Sequence, residues 1–279
     1  MTTPKTIPTP GPTPGPKAGQ IGEELLYEVR GAVGLITFNR PQARNALTFN
    51  MYDKLAEICG GIKMGGAIRA LVLTGAGGKA FAAGTDISQF RVFETPEQGL
   101  RYEADATARG AIIAACPVPL IAAISGACTG GGAGIAANCD IRLATHDLRF
   151  GFPIARTLGN MLSASTLRGL VGHFGESRVK RLLYTSELMG AEEALSCGFV
   201  SELHAGHAAV LARALELAGQ IAGNAPLTIQ VTKELLRRMR SAAPKIEDED
   251  LVAKVYTSAD FKEGLDAFLT KRKPQWTGK

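Results

Sequence analysis

Two glycine-rich segments hold the residues best suited to chemistry. They are Lys79-Ala80-Phe81-Ala82-Ala83-Gly84-Thr85-Asp86-Ile87 and Ser125-Gly126-Ala127-Cys128-Thr129-Gly130-Gly131-Gly132-Ala133-Gly134. Each follows a short apolar run, and its residues are small enough to let a ligand touch the backbone. Where such a turn opens a helix, unpaired N–H groups point outward and the helix dipole favours negative charge. Two such turns side by side would aim two donors at one oxygen, an arrangement that stabilises an enolate or a tetrahedral oxyanion. The plain alternative is that these glycines serve packing and tight turns alone. Gly132-x-Gly134-x-x-Ala137 also fits the loose dinucleotide-binding fingerprint. The acidic residue that fingerprint needs, about twenty residues on, is absent, since Gly151 and Phe152 occupy that region.

The elements that must position these turns alternate in type. Tyr27–Val29 and Val33–Phe38 read as a hairpin turned at Gly31. Thr48 reads as the N-cap of an amphipathic helix through Met51, Leu55 and Ile58 that stops at Gly60-Gly61. Strands follow at Arg69–Thr74, Pro119–Ser125 and Asp140–Ala144, with a short helix at Ala133–Asn138. Val179–Leu183, Ala191–Leu195 and Ala208–Ile221 have helical spacing, and Phe199–Leu203 reads as a short strand. This alternation predicts an α/β fold of parallel strands with crossover helices. From Pro226 onward the chain is charged and helical, with apolar residues at Leu227, Val231, Leu235 and Leu236.

Composition narrows the function classes. Of 279 residues, 46% are apolar and 20% charged, an ordinary globular mixture. The net charge of +5 suits an anionic small ligand, and no basic stripe with interleaved aromatics points to nucleic acid. Five scattered cysteines without a Cys-x-x-Cys pair argue against a disulfide framework or zinc site and fit a reducing cytoplasm. His204 and His207 lack a third ligand nearby, so neither a metal nor a redox cofactor is expected. Gly110–Cys139 is uncharged and long enough to suggest a membrane span. Pro117, Pro119 and the glycine cluster read better as a buried strand entering a tight turn, and no membrane association is expected.

Four motifs together resemble the crotonase (enoyl-CoA hydratase/isomerase) family, and the match runs from about Leu26 to Trp276. Asn39-Arg40-Pro41 precedes Asn45-Ala46-Leu47; Phe81–Asp86 forms a Phe-x-x-Gly-x-Asp turn; Gly130–Gly132 precedes Cys139-Asp140; and Glu263–Pro274 matches the family's closing helix. The resemblance implies a repeated ββα spiral core over residues 21–222 and a C-terminal helical trimerisation region over residues 223–279. A homo-trimer or hexamer would follow. It further implies a coenzyme A thioester as substrate, with no separate cofactor, its carbonyl oxygen held by the backbone N–H groups of Thr85 and Gly131. Arg44, Ala46, Ala83, Asp86 and Ile87 would line the nucleotide and pantetheine path. Ser88 stands where many members carry a lysine.

The departure from the family lies in the proton chemistry. Its hydratases place one glutamate two residues after the glycine triplet and another directly after a proline beyond the next strand. Here those places hold Gly134 and Ile154. Hydration needs one group to activate water and one to deliver a proton, which neither residue can do. Arg156 stays protonated and cannot be a base, though it could hold a substrate carboxylate or a bound anion, or simply make a surface ion pair. Asp86 and Asp140 fall in motifs that are usually structural, and His146 reads as a surface or packing histidine. Ser163 and Thr129 could order a water. Gly134 leaves room for a bulkier acyl group.

Two functions fit: a crotonase-type lyase or isomerase acting through an enolate, with its acid/base group unidentified, or a catalytically silent acyl-CoA-binding or assembly subunit. Residues 1–20 are rich in Pro, Thr and Gly and lack an apolar stretch, which reads as a tail outside the fold. Deleting Met1–Gly19 should leave the thermal unfolding midpoint nearly unchanged, and a fall of many degrees by calorimetry would contradict that.

Overall fold

A computed structural model describes residues 24–92, 95–242 and 247–278. The expected tail over residues 1–20 lies outside them. Strands β1 (Leu25–Arg30) and β2 (Val33–Phe38) form an antiparallel hairpin, turned at Gly31 with φ 62°. Helix α1 (Phe49–Gly61) is capped by Thr48, whose hydroxyl accepts the Met51 N–H, and buries Met51, Leu55 and Ile58. Three turns of one pattern follow. The first is β3 (Ala70–Gly75), β4 (Ala80–Ala82) and α2 (Pro96–Ala114). The second is β5 (Leu120–Ile124), β6 (Ala127–Thr129) and α3 (Gly131–Asn138). The third is β7 (Ile141–Thr145), β8 (Arg149–Gly151) and a helical run α4 (Ile154–Thr157), α5 (Ala164–Phe174) and α6 (Glu176–Thr185). Then come β9 (Met189–Gly190), α7 (Ala191–Ser196), β10 (Glu202–His204) and α8 (His207–Ala222). Helices α9 (Pro226–Ser241), α10 (Glu249–Tyr256) and α11 (Ala259–Leu269) close the chain.

Each turn gives its long strand to one sheet and its short strand to another. The long strands form a six-stranded sheet, β1-β2-β3-β5-β7-β10, parallel from β2 onward; the short ones form β4-β6-β8-β9. This is the ββα spiral. In the large sheet, alternate residues serve opposite faces. Leu71, Leu73, Leu120 and Ile124 join the main core with Phe38, Phe81 and Phe150. Val72, Ile121 and Leu143 face α8 through Val210, Ala214 and Ala218. A strand buried on both faces reads as an unbroken apolar run, which explains the plain signals at β3 and β5.

The structure departs from the sequence reading at several points. Phe199 and Val200 are buried in a loop, and the last strand begins only at Glu202. The short strands β4 and β6 run inside segments read as turns. Helix α2 has no counterpart among the expectations. Its apolar residues are mostly small, and its main local signal is a polar cap, in which Gln98 Oε1 accepts the Thr95 N–H at 2.9 Å. The uncharged stretch divides among the end of α2, β5, β6 and α3. No described helix is long and apolar enough to cross a membrane.

One buried side chain ties the first loop to β4. Asn45 is wholly buried, with φ 55°, a left-handed conformation that Asn tolerates better than most residues. Its Oδ1 accepts the Arg40 N–H at 3.0 Å, and its Nδ2 donates to the carbonyls of Ala76 at 3.0 Å and Ala80 at 2.8 Å. Asn45→Ala would strand all three backbone groups away from water, costing roughly 3 kcal/mol. Denaturant unfolding should show this as a lower midpoint, and a loss well under 1 kcal/mol would contradict the assignment.

Candidate active site

The Asn-Ala-Leu segment and the turn after β4 are zipped together by their backbones. Ala83 N–H donates to the Arg44 carbonyl at 3.1 Å, Leu47 N–H to Gly84 at 2.8 Å, and Asp86 N–H to Leu47 at 2.8 Å. Arg40 reinforces the join from the side: it donates to the Ala46 carbonyl at 2.7 Å and pairs with Asp86 at 2.9 Å. Burial alone would raise the Asp86 pKa, but hydrogen bonds from Ser88 and Arg40 outweigh it, so the carboxyl sits below its ordinary range. Asp86 is therefore a charged structural partner that also borders the cavity.

The two glycine-rich turns touch each other. Gly84 has φ 106° and Gly130 has φ 51°, and a Cβ on Gly130 would lie 3.3 Å from Gly84 Cα. A Cβ on Gly132 would overlap the Ala82 carbonyl. One on Gly131 would overlap the Tyr52 hydroxyl and reach within 3.0 Å of Thr85 Oγ1. Gly131 is the first residue of α3, where an N–H has no partner inside the helix. Among the described residues neither the Thr85 nor the Gly131 N–H is engaged in a hydrogen bond. Two unengaged donors thus lie on turns that touch, both beside a large opening.

That opening is a cavity of about 1300 Å³. Arg44, Ala46, Ala83, Thr85, Asp86, Ile87, Gly131, Gly134 and Ile154 all border it. A Cβ built on Gly134 meets nothing within 4 Å, so its place is open space. Arg156 does not join them. Helix α4 is a single turn that sends Ile154 inward and Arg156, two residues on, out to solvent. Its expected hold on a substrate carboxylate or bound anion is therefore not supported by this geometry.

Other sequence candidates resolve into structural roles. Asp140 receives the Leu120 N–H at 2.8 Å and Lys233 Nζ at 2.6 Å. His146 is exposed, 3.5 Å from Glu192. Ser163 caps α5. His207 Nδ1 lies 3.0 Å from Ser125 Oγ, and no group of three metal-binding side chains occurs among the described residues. All five cysteines are free.

Several titratable groups at the cavity are ones the sequence reading missed. Tyr52 on α1 lies 2.8 Å from Thr85 Oγ1, and Tyr102 on α2 lies 3.5 Å from the same atom. Burial holds both phenols protonated: Tyr102 is pushed up to about 12, and Tyr52 is raised further. Glu103, next on α2, is pushed up to about 7, chiefly by burial. It accepts the Tyr256 hydroxyl at 2.6 Å. His173 on α5 is lowered by burial and by Arg142, and its Nε2 lies 3.0 Å from the Ala137 carbonyl.

Residues 28–279 match the model of the family described as enoyl-CoA hydratase/isomerase. The chain belongs to that family. It is 31% identical over 258 residues to a short-chain-enoyl-CoA hydratase of Clostridium acetobutylicum, covering 89% of this chain and 95% of that one. Among solved structures, an enoyl-CoA hydratase/carnitine racemase from Magnetospirillum magneticum superimposes with TM-score 0.74 at 33% identity, covering 93% of this chain and 97% of the other. A methylmalonyl-CoA decarboxylase complexed with 2S-carboxypropyl-CoA gives TM-score 0.81 at 28% identity, over 92% and 99%. The spiral of two sheets is thus the fold of this family, and the chain is an acyl-CoA enzyme of enoyl-CoA hydratase/isomerase type.

Proposed function

We propose that the protein acts on an acyl-coenzyme A thioester through an enolate whose oxygen is held by the backbone N–H groups of Thr85 and Gly131. The observation that carries this reading is the meeting of two unengaged donors at the cavity wall. Negative charge grows on the thioester oxygen as an enolate forms, and fixed donors stabilise that state without reorganising. Arg44 at the mouth would face the anionic nucleotide, and the open space at Gly134 would admit acyl groups bulkier than a glutamate there allows. Lyase and isomerase chemistry both pass through this intermediate, and so does the decarboxylation named for one of the structural relatives.

A second reading keeps the clamp but not the chemistry: a silent acyl-CoA-binding or assembly subunit. Gly134 and Ile154, at the positions the resemblance reads as glutamates, favour it, since neither can move a proton. The perturbed Glu103 beside the same cavity favours the enzyme. In either reading a homo-trimer or hexamer has a natural surface on α9. Leu227, Val231, Leu235, Leu236 and Met239 are each more than half exposed there, an apolar stripe that assembly would cover.

Hydration of a short trans-2-enoyl-CoA, followed by loss of its enoyl-thioester absorbance, tests the reading. Gly131→Pro removes one donor at a helix position that tolerates proline, but its ring would meet the Tyr52 hydroxyl. The variant therefore belongs in a Tyr52→Phe background. Turnover should fall roughly 100-fold or more relative to Tyr52→Phe alone. Equal rates would contradict the oxyanion assignment, and saturable binding without any turnover would leave a different acyl-CoA chemistry or the silent subunit.

A further inference from the structure

Helix α2 lies over the cavity and presents Gly99, Tyr102, Glu103 and Ala106 at three- and four-residue spacing, one face of the helix. Tyr102 reaches the Thr85 hydroxyl at 3.5 Å, which brings this face to the edge of the two-donor site. Glu103 is the carboxyl on that face that borders the cavity. Its orientation is fixed from a distant part of the chain. Tyr256, at the end of α10, donates to Glu103 Oε1 at 2.6 Å. Gly99 permits that approach, because a Cβ there would lie 2.5 Å from Tyr256 Cβ.

The Asn160 side chain counters the rise that burial imposes on the Tyr256 phenol. Asn160 lies just past α4, the single turn that starts at Ile154, and both residues border the cavity. Its Oδ1 is buried and has no hydrogen-bond partner among the described residues. Glu103, Asn160 and Ile154 thus border one cavity, with Tyr256 bonded to the first of them.

We propose that Glu103 is the group that moves the proton on the carbon next to the thioester carbonyl, with Tyr256 as its positioning residue. This rests on the thioester reading above. As a base, the Glu103 carboxylate takes the proton from that carbon. The C–H electron pair becomes the enolate double bond, and the charge moves onto the oxygen between Thr85 and Gly131. As an acid, the protonated carboxyl returns the proton to the same carbon and the oxygen reverts to a carbonyl. One carboxyl serves both directions, and no other reactant is consumed.

The surroundings suit a group that must be present in both forms. Burial pushes the Glu103 carboxyl up to about 7, the Tyr256 hydrogen bond opposes this, and the Asp248 charge adds to the rise. The charged group that acts on Glu103 is Asp248, at the start of α10; Arg109, farther along α2, acts on Tyr102 and Tyr52 and pairs with Asp53 of α1 at 2.7 Å. Tyr102 and Tyr52 stay neutral beside it.

The test uses the whole protein and butyryl-CoA, a saturated thioester that can exchange its proton without further reaction. Exchange at the second carbon in deuterium oxide is followed by proton NMR, and binding by calorimetry. Wild type should exchange, with a rate that rises with pH through an inflection near 7 as the carboxylate form fills. Glu103→Gln should bind butyryl-CoA as wild type does but exchange roughly 100-fold slower or less, and Glu103→Asp should recover part of the rate. Tyr256→Phe removes the bond that holds the carboxyl down, so its inflection should move to higher pH, which a merely structural tyrosine would not cause. Wild-type exchange in Glu103→Gln would overturn the proposal. So would wild type that binds butyryl-CoA but never exchanges it, while leaving thioester binding intact. Failure of wild type to bind butyryl-CoA would overturn the thioester reading and this role with it.

Discussion

Everything at this site depends on the close approach of two backbone turns. In the proposed reading Thr85 and Gly131 offer their N–H groups to one oxygen, which requires that nothing stand between the turn after β4 and the start of α3. Side chains at Gly130, Gly131 or Gly132 would meet Gly84, the Tyr52 hydroxyl or the Ala82 carbonyl. The second sheet holds the turns at this spacing, since β4 and β6 are parallel neighbours in it. The first loop then locks the upper turn, through the backbone zipper from Arg44 to Leu47 and the buried Asn45. A fixed pair of dipoles needs this rigidity, because a donor that had to move into place would lose part of its advantage.

The glycine-rich turns were legible in the sequence because their signals are local: clustered glycines, and apolar runs that must be strands buried on both faces. The long strands β3, β5 and β7 and the Thr48 cap carry strong short-range signals for the same reason. The short strands β4 and β6 do not, because three residues of small side chains look like the turns that flank them. The pairing of Thr85 with Gly131 came from the resemblance, and the left-handed Asn45 showed only in the fold.

The proton-handling half was hidden. Glu103 and Tyr256 are 153 residues apart, and no local pattern links them. Glu103 by itself looks like an ordinary charged helix residue among Arg101, Ala104 and Asp105; only the fold shows that its face of α2 covers the cavity. The resemblance also directed attention to Gly134 and Ile154, where the usual glutamates are missing, and so to Arg156 as the nearest charge. In the fold, proximity in sequence to Ile154 counts for little, because the one-turn helix α4 turns Arg156 outward. The titratable groups that the sequence reading missed come instead from α1, α2 and α5. The proposed division of labour follows: the backbone would stabilise charge, and a helix that borders the cavity would supply the carboxyl.

The central claim, that two backbone N–H groups polarise a bound thioester, is most directly tested on the carbonyl itself. Butyryl-CoA labelled with carbon-13 at the thioester carbonyl would be bound to the protein and its resonance compared with that of the free ligand. The account predicts a clear downfield shift in Tyr52→Phe that is largely lost when Gly131→Pro is added while the ligand remains bound. A bound carbonyl that resonates as it does in water, or a shift untouched by removing the Gly131 donor, would contradict it.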